Sequence, residues 1–256
     1  MFQPIVTFWT GPRVSDLDRL CIASWRALGY EAVVYAYEEV SNLPSGVALR
    51  DAETILPRRF LFDDAPTLGP PTRANLFRLA LLRAGAGIWL DTDVLLLRPL
   101  PQPPDILVSL ERGGWLCNGI LWARRDFPMM EAVLEAFASR STPPWSITKV
   151  RWRRLRCRLL GTEFTLKDYP KHQWGRHALE YFVRKENVRD QVLSQAAFHH
   201  PLVYTDHPFK SPERELLLDN PDVLGVHTFA KGRKLFEQRT ADSLVSWAMA
   251  RYSNFF

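Results

Sequence analysis

The chain is poor in cysteine and has no long apolar run. Three cysteines, Cys21, Cys117 and Cys157, are too few and too scattered for a disulfide scaffold or a zinc cluster. The longest apolar stretches, such as Leu79–Leu82 and Leu95–Leu97, fall far short of the ~20 residues that span a bilayer. The opening MFQPIVTFWTGPR has neither a basic start nor a long apolar segment, so it does not read as a signal peptide, and the cytoplasm is the expected compartment. Lysine is absent before Lys149, which leaves arginine as the only strong cation of the first half. No internal repeat or low-complexity linker interrupts the chain. Disorder, collagen and coiled coil are excluded, because 256 residues at 46% hydrophobic and 24% charged make an ordinary globular composition. The net charge of +5 comes from the second half. Arginine binds phosphate bidentately, so this bias suits an anionic partner, but it does not by itself point to nucleic acid, and none is expected.

Strand and helix patterns alternate over the first half. Ile5–Trp9 reads as a buried strand. Ser15 caps a helix to about Leu28, with Leu17, Leu20, Ala23 and Ala27 at helical spacing. Glu31–Tyr37 is β-branched and aromatic, as a strand should be. Residues 41–71 read as irregular. Thr72 is the expected cap of a helix ending at Gly85 or Gly87, followed by a short strand at Ile88–Leu90. Further strands are expected at Ile106–Leu110, Leu116–Ala123 and Val223–His227. Helices are expected from Asp126 to about Ser139, over Gly175–Lys185 and over Asp242–Arg251. The alternation predicts an α/β fold with a mainly parallel central sheet flanked by helices, and an irregular C-terminal half.

The most informative stretch is GAGIWLDTDVLLLRP, residues 85–99. Asp91 and Asp93 follow an apolar strand at i and i+2. Strand C-termini in a parallel sheet open into the ligand crevice. Two carboxylates there repel each other unless a cation compensates. Mg²⁺ or Mn²⁺, which take oxygen ligands and carry substrate phosphates, fit that need. On this reasoning, replacing one carboxylate leaves metal-free stability unchanged or raised.

Around this pair the sequence resembles glycosyltransferase family 32, DXD-containing sugar transferases of the capsular-polysaccharide type, whose core is similar to that of the clostridial glucosylating toxins. The resemblance rests on IVTFWTG with Trp9, on Asn75 and Arg78, on Gly85-Ala86-Gly87, and on Ile88-Trp89-Leu90 before Asp91-Thr92-Asp93. It departs at Asn75, where the family has an acidic residue. It departs also at Gly175-Arg176 in place of a Gly-Pro, and in the ending HTFAKGRKLF. The resemblance implies a Rossmann-related GT-A fold in one domain, 1–256, with a nucleotide-sugar core over 1–125 and an acceptor and closing region over 126–256. It implies a retaining hexose transfer from a nucleotide sugar, most simply a UDP-sugar, to a glycan or lipid-linked glycan. Asp93, Asp91 and His227 would hold the metal. Trp9 would stack on the base, and Asn75, Arg78 and Asn118 would hold the donor sugar. Lys231 and Arg233 would neutralise the diphosphate. His199, His200 and His172 carry no motif context and read as surface or packing residues.

Two other readings stand beside this one. DTDV also fits the haloacid-dehalogenase phosphatases, with Asp91 as nucleophile. The fold could instead bind a glycan or nucleotide without turnover. Separately, KVRWRRLRCRLL, residues 149–160, forms an amphipathic pattern if helical, with Trp152, Leu155 and Leu159 on one stripe. That pattern suits an anionic membrane surface, on which the protein would sit peripherally; the alternative is a stripe packed on the core.

Overall fold

The computed structural model describes residues 3–170 and 172–256; Met1 and Phe2, which begin the opening stretch, and Lys171 lie outside the described residues. The strands are β1 (Ile5–Phe8), β2 (Ala32–Ala36), β3 (Ala48–Asp51), β4 (Ile88–Leu90), β5 (Val94–Leu96), β6 (Ile106–Leu110), β7 (Leu116–Ala123) and β8 (Gly225–His227). The helices are α1 (Asp16–Ala27), α2 (Arg58–Leu61), α3 (Pro70–Arg83), α4 (Met129–Ala138), α5 (Thr148–Leu160), α6 (Arg176–Lys185), α7 (Ala196–His199), α8 (His207–Lys210), α9 (Glu215–Leu218), α10 (Phe229–Phe236) and α11 (Leu244–Arg251).

Six strands form the central sheet in the order β3-β2-β1-β4-β7-β6. The first four run parallel. β7 lies antiparallel to β4, and β6 antiparallel to β7. Successive side chains of a strand point to opposite faces. Val6 and Phe8, Val33 and Tyr35, and Trp89 therefore enter one core with Phe77 of α3 and Met129 of α4. Ile5, Ala32 and Val34, and Ile88 and Leu90 enter the other core with Ile22 and Trp25 of α1. Both faces are covered, which is why these strands read as continuous apolar runs.

Local signals account for most element ends. Ser15 caps α1 and accepts from the Asp18 amide. The helix expected from Thr72 instead begins at Pro70, with Gly69 as its N-cap and both prolines in its first turn, where the missing amide costs nothing. Residues 41–71 are not wholly irregular, because β3 adds to the sheet edge. Its ALRD sequence is mostly exposed, so no burial pattern announces it.

The pair β5–β8 forms a second, antiparallel sheet of two strands. Helix α1 fixes it from beneath. Trp25 Nε1 donates to the Val94 carbonyl at 2.8 Å, and the Leu96 amide donates to Ser24 Oγ at 2.9 Å. The basic run is helical, but its apolar stripe is not packed on the core. Trp152 is 66% exposed and Leu159 77%. Among the described residues no helix is long and apolar enough to cross a membrane.

Candidate active site

The Asp91–Asp93 turn is set by three strands. The Asp91 amide donates to the Gly119 carbonyl of β7 at 2.7 Å, and the Val94 amide closes the turn on the Asp91 carbonyl at 3.1 Å. The β5–β8 register then places Val94 opposite His227. His227 Nε2 consequently lies 3.1 Å from Asp93 Oδ1, with both side chains nearly buried. A side chain at Gly119 would be pressed between Asp91 and His227, since a Cβ there would stand 2.9 Å from both.

The two carboxylates are not left to repel each other, as the sequence alone suggested. Asp91 Oδ1 accepts from Arg78 Nη2 at 2.6 Å and from Trp89 Nε1 at 2.7 Å. Asp93 faces His227. Burial opposes ionisation of Asp93, but the charge and hydrogen bond of His227, with Arg233 beyond, hold its carboxyl below the usual range. Burial likewise disfavours a charged His227, yet the charge and hydrogen bond of Asp93, aided by Cys117, hold the ring well above its ordinary value.

One wall of the cleft is a cradle of amides and guanidinium. Asn75 Oδ1 accepts from Arg78 Nη1 and from Asn118 Nδ2, each at 2.8 Å. Arg78 is buried on helix α3, and its guanidinium lies 4.6 Å over the Trp89 ring. Gly175 closes the cradle from behind. A Cβ there would stand 2.6 Å from Asn118 Nδ2 and 2.8 Å from Asn75 Nδ2. Across the cleft, Trp9 is half-buried and donates from Nε1 to the Arg13 carbonyl at 3.1 Å. Beside it, Arg233 of α10 grips Asp18 of α1 with two hydrogen bonds of 2.8 and 2.9 Å. Asp18 is fully buried and also accepts from Thr92 Oγ1, inside the DTD turn, at 2.6 Å. The walls enclose a cleft of about 480 Å³ lined by Trp9, Asn75, Arg78, Asp91, Asp93, Asn118, His172, Arg176 and Arg233.

Behind His227 lies a relay that no motif announced. His199 Nε2 is 3.0 Å from His227 Nδ1, and His199 Nδ1 is 3.0 Å from the Leu110 carbonyl. Burial, reinforced by the charge on His227, pushes His199 down to about 3, so its ring is neutral. A carbonyl only accepts, so the His199 proton sits on Nδ1 and its Nε2 accepts from His227 Nδ1–H. His227 Nε2 is thereby aimed at Asp93. Phe229, in the left-handed region at φ +57, stacks on the same ring with centroids 4.3 Å apart.

The donor set of Asp91, Asp93 and His227, whose ligand atoms lie within 4.8 Å of one another, is oxygen-rich and fits Mn²⁺ or Mg²⁺. Cys117, His199 and His227 satisfy the same distance, but there His199 Nε2 and His227 Nδ1 already occupy each other. Of the residues singled out in the sequence, Trp9, Asn75, Arg78, Asp91, Asp93, Asn118 and Arg233 line one cleft, and His227 joins them through Asp93. Lys231 does not: its Nζ donates to the Thr205 carbonyl at 2.9 Å, outside the cleft lining. His199, read as a surface or packing residue, is fully buried against His227. Site roles for Asp18, Trp89 and Arg176 were not anticipated, and His172, read as a surface or packing residue, lines the cleft. Asp18 offered one signal, an acidic residue on an otherwise apolar helix face between Leu17 and Cys21.

No family model matches the chain, and no curated protein matches it. Among solved structures the chain is similar to a PaToxG glycosyltransferase, at 13% identity and a TM-score of 0.47, covering 100% of this chain and 86% of that one.

Proposed function

We propose that the chain is a metal-dependent glycosyltransferase of GT-A type. It would move a hexose from a nucleotide sugar, most simply a UDP-sugar, to a glycan or lipid-linked glycan, with retention of configuration. The observation that carries this reading is the convergence of Asp91, Asp93 and His227 with Trp9 and the Asn75–Arg78–Asn118 cradle on one cleft. The cleft also sits where such chemistry is expected. Trp9 and Asp91 directly follow the C-terminal ends of β1 and β4. These are neighbours at the point where the strand order 3-2-1-4 reverses, the usual ligand crevice of an open α/β sheet.

In this reading the base lies on Trp9, and the sugar hydroxyls face the amides of Asn75 and Asn118. Arg78, with its charge already directed at Asp91, fixes that carboxylate for the metal or the donor. A divalent cation held by Asp93, Asp91 and His227 would supply Lewis-acid neutralisation of the diphosphate. Arg233, held rigid by Asp18, adds preorganised positive charge as the leaving group develops its own. Retention requires no second carboxylate, because the departing phosphate can accept the proton of the acceptor hydroxyl. Residues 1–125 would supply most of the donor site, and 126–256 would add His227 and Arg233 at the diphosphate and close the cleft over the acceptor with His172 and Arg176. A phosphatase reading would use Asp91 as the nucleophile; Arg78 and Trp89 hold its Oδ1, and the assay below separates the two readings.

Calorimetry with UDP-, GDP- and CMP-sugars, with and without Mn²⁺ or Mg²⁺, tests the proposal. Metal-dependent binding of one class and its slow hydrolysis are expected. Absence of binding to every nucleotide sugar, or Asp91-dependent release of phosphate from a generic phosphomonoester, would overturn it.

A further inference from the structure

Helix α5 meets the rest of the chain along a narrow stripe. Val150 is buried, and Arg154 and Cys157 are half-buried, at i, i+4 and i+7. At 3.6 residues per turn, Trp152, Leu155 and Leu159 project from the opposite side. They are 66%, 44% and 77% exposed, and Leu160 beside them is 62% exposed. Apolar side chains exposed together on one face of a thirteen-residue helix, and not scattered singly, mark an interaction surface.

The charges around the pole are arranged with equal regularity. Arg151 donates to the Pro144 carbonyl at 2.8 Å, Arg153 pairs with Asp168 at 2.5 Å, and Arg154 donates to Thr142 Oγ1 at 2.6 Å. These three hold the helix to the body. Lys149, Arg156 and Arg158 are exposed and make no hydrogen bond or ion pair among the described residues. Lys149 and Arg156 flank the pole on one side and Arg158 on the other. The helix contains no acidic residue.

We propose that α5 is a docking surface for a bilayer containing anionic phospholipid, lying in the interface with Trp152, Leu155 and Leu159 inserted and Lys149, Arg156 and Arg158 on the headgroups. An apolar face flanked by cations is the pattern of an in-plane interfacial helix. Nucleic acid would be met by the cations but not by the leucines between them. A second copy of the chain would bring the same unpaired cations face to face. The surface is separate from the donor cleft, and vesicle binding is expected whatever the cleft binds.

The test is vesicle flotation of the full chain. Partitioning into phosphatidylglycerol–phosphatidylcholine vesicles should exceed that into pure phosphatidylcholine by tenfold or more and fall with salt. Each cation near such a surface contributes roughly a fivefold gain, so the triple variant Lys149→Gln, Arg156→Gln, Arg158→Gln should lose roughly a hundredfold. Leu155→Ser with Leu159→Ser should also lose binding. Both variants should keep the wild-type melting temperature, because none of these side chains is buried. Quenching of tryptophan by brominated lipid should disappear in Trp152→Phe. Equal binding to neutral vesicles, no binding at all, or undiminished binding by either variant would overturn the proposal. So would light scattering that shows a dimer dissolved by the leucine variant, or an RNA gel shift abolished by the charge variant, in the absence of vesicle binding.

Discussion

Replacing Asp93 with Asn separates its two roles, because the same carboxylate faces His227 in the folded chain and is the strongest candidate metal ligand. Repulsion between Asp91 and Asp93 would predict an unchanged or stabilised metal-free protein. The geometry predicts the opposite. Asp91 is already balanced by Arg78, so the variant relieves no repulsion; it leaves His227 an amide oxygen at 3.1 Å in place of a carboxylate and removes the negative charge that holds the ring protonated. A hydrogen bond between charged groups contributes about 1.5–3 kcal/mol, which sets the expected loss near 2 kcal/mol. For a chain of this length that is a fall in melting temperature of roughly 4–8 °C.

The pH dependence follows from the two directions. Asp93 is held below 3.8, so its contribution is present above that value and disappears as the carboxyl protonates in acid. His227 is held well above 6.5, so its contribution is complete below 6.5 and is lost as pH rises through its folded value. The gap between wild type and Asp93→Asn should therefore be widest between about pH 4 and 6.5 and should narrow in alkali. Chemical denaturation in EDTA across that range is the assay. Adding Mn²⁺ at a hundred times its dissociation constant should stabilise wild type by about 2.7 kcal/mol and the variant far less, and transfer activity should be nearly abolished. A variant as stable as wild type in EDTA near pH 5.5, or one that gains equally from Mn²⁺, would refute this account of Asp93.

His199→Phe keeps the buried ring but removes the acceptor for His227 Nδ1; Mn²⁺ affinity, read by electron paramagnetic resonance, should weaken roughly 10- to 100-fold while the fold persists. Gly175→Ala should cost about 1–3 kcal/mol of stability and lower donor affinity together, measured by melting and calorimetry, because its Cβ displaces Asn118 and Asn75. Trp9→Ala should raise the dissociation constant for UDP roughly 5- to 150-fold, since a base stacked on an aromatic ring is worth about 1–3 kcal/mol; an unchanged constant would remove Trp9 from the donor site.

What could be read in advance was whatever is encoded locally. The apolar strand before Asp91, the i and i+3 placement of Asn75 and Arg78 on one helix face, and the strand carrying Asn118 are all short-range patterns, and each lies where the patterns put it. The hidden parts are pairings across the chain. Asp18 and Arg233 meet over 215 positions, and His199 reaches His227 only because α7 leads back beside β8. A single buried Asp or His has no periodicity, so nothing local marks it. The misplacement of Lys231 has a different cause. HTFAKGRKLF gave no strong helical signal, so Lys231 and Arg233 looked equally able to reach a diphosphate. The segment folds as α10, and residues two apart on a helix point away from each other. Once Asp18 draws Arg233 into the cleft wall, the same helical turn carries Lys231 out to the Thr205 carbonyl. Only one of the two cations can serve the site, and the buried carboxylate on α1 selects which.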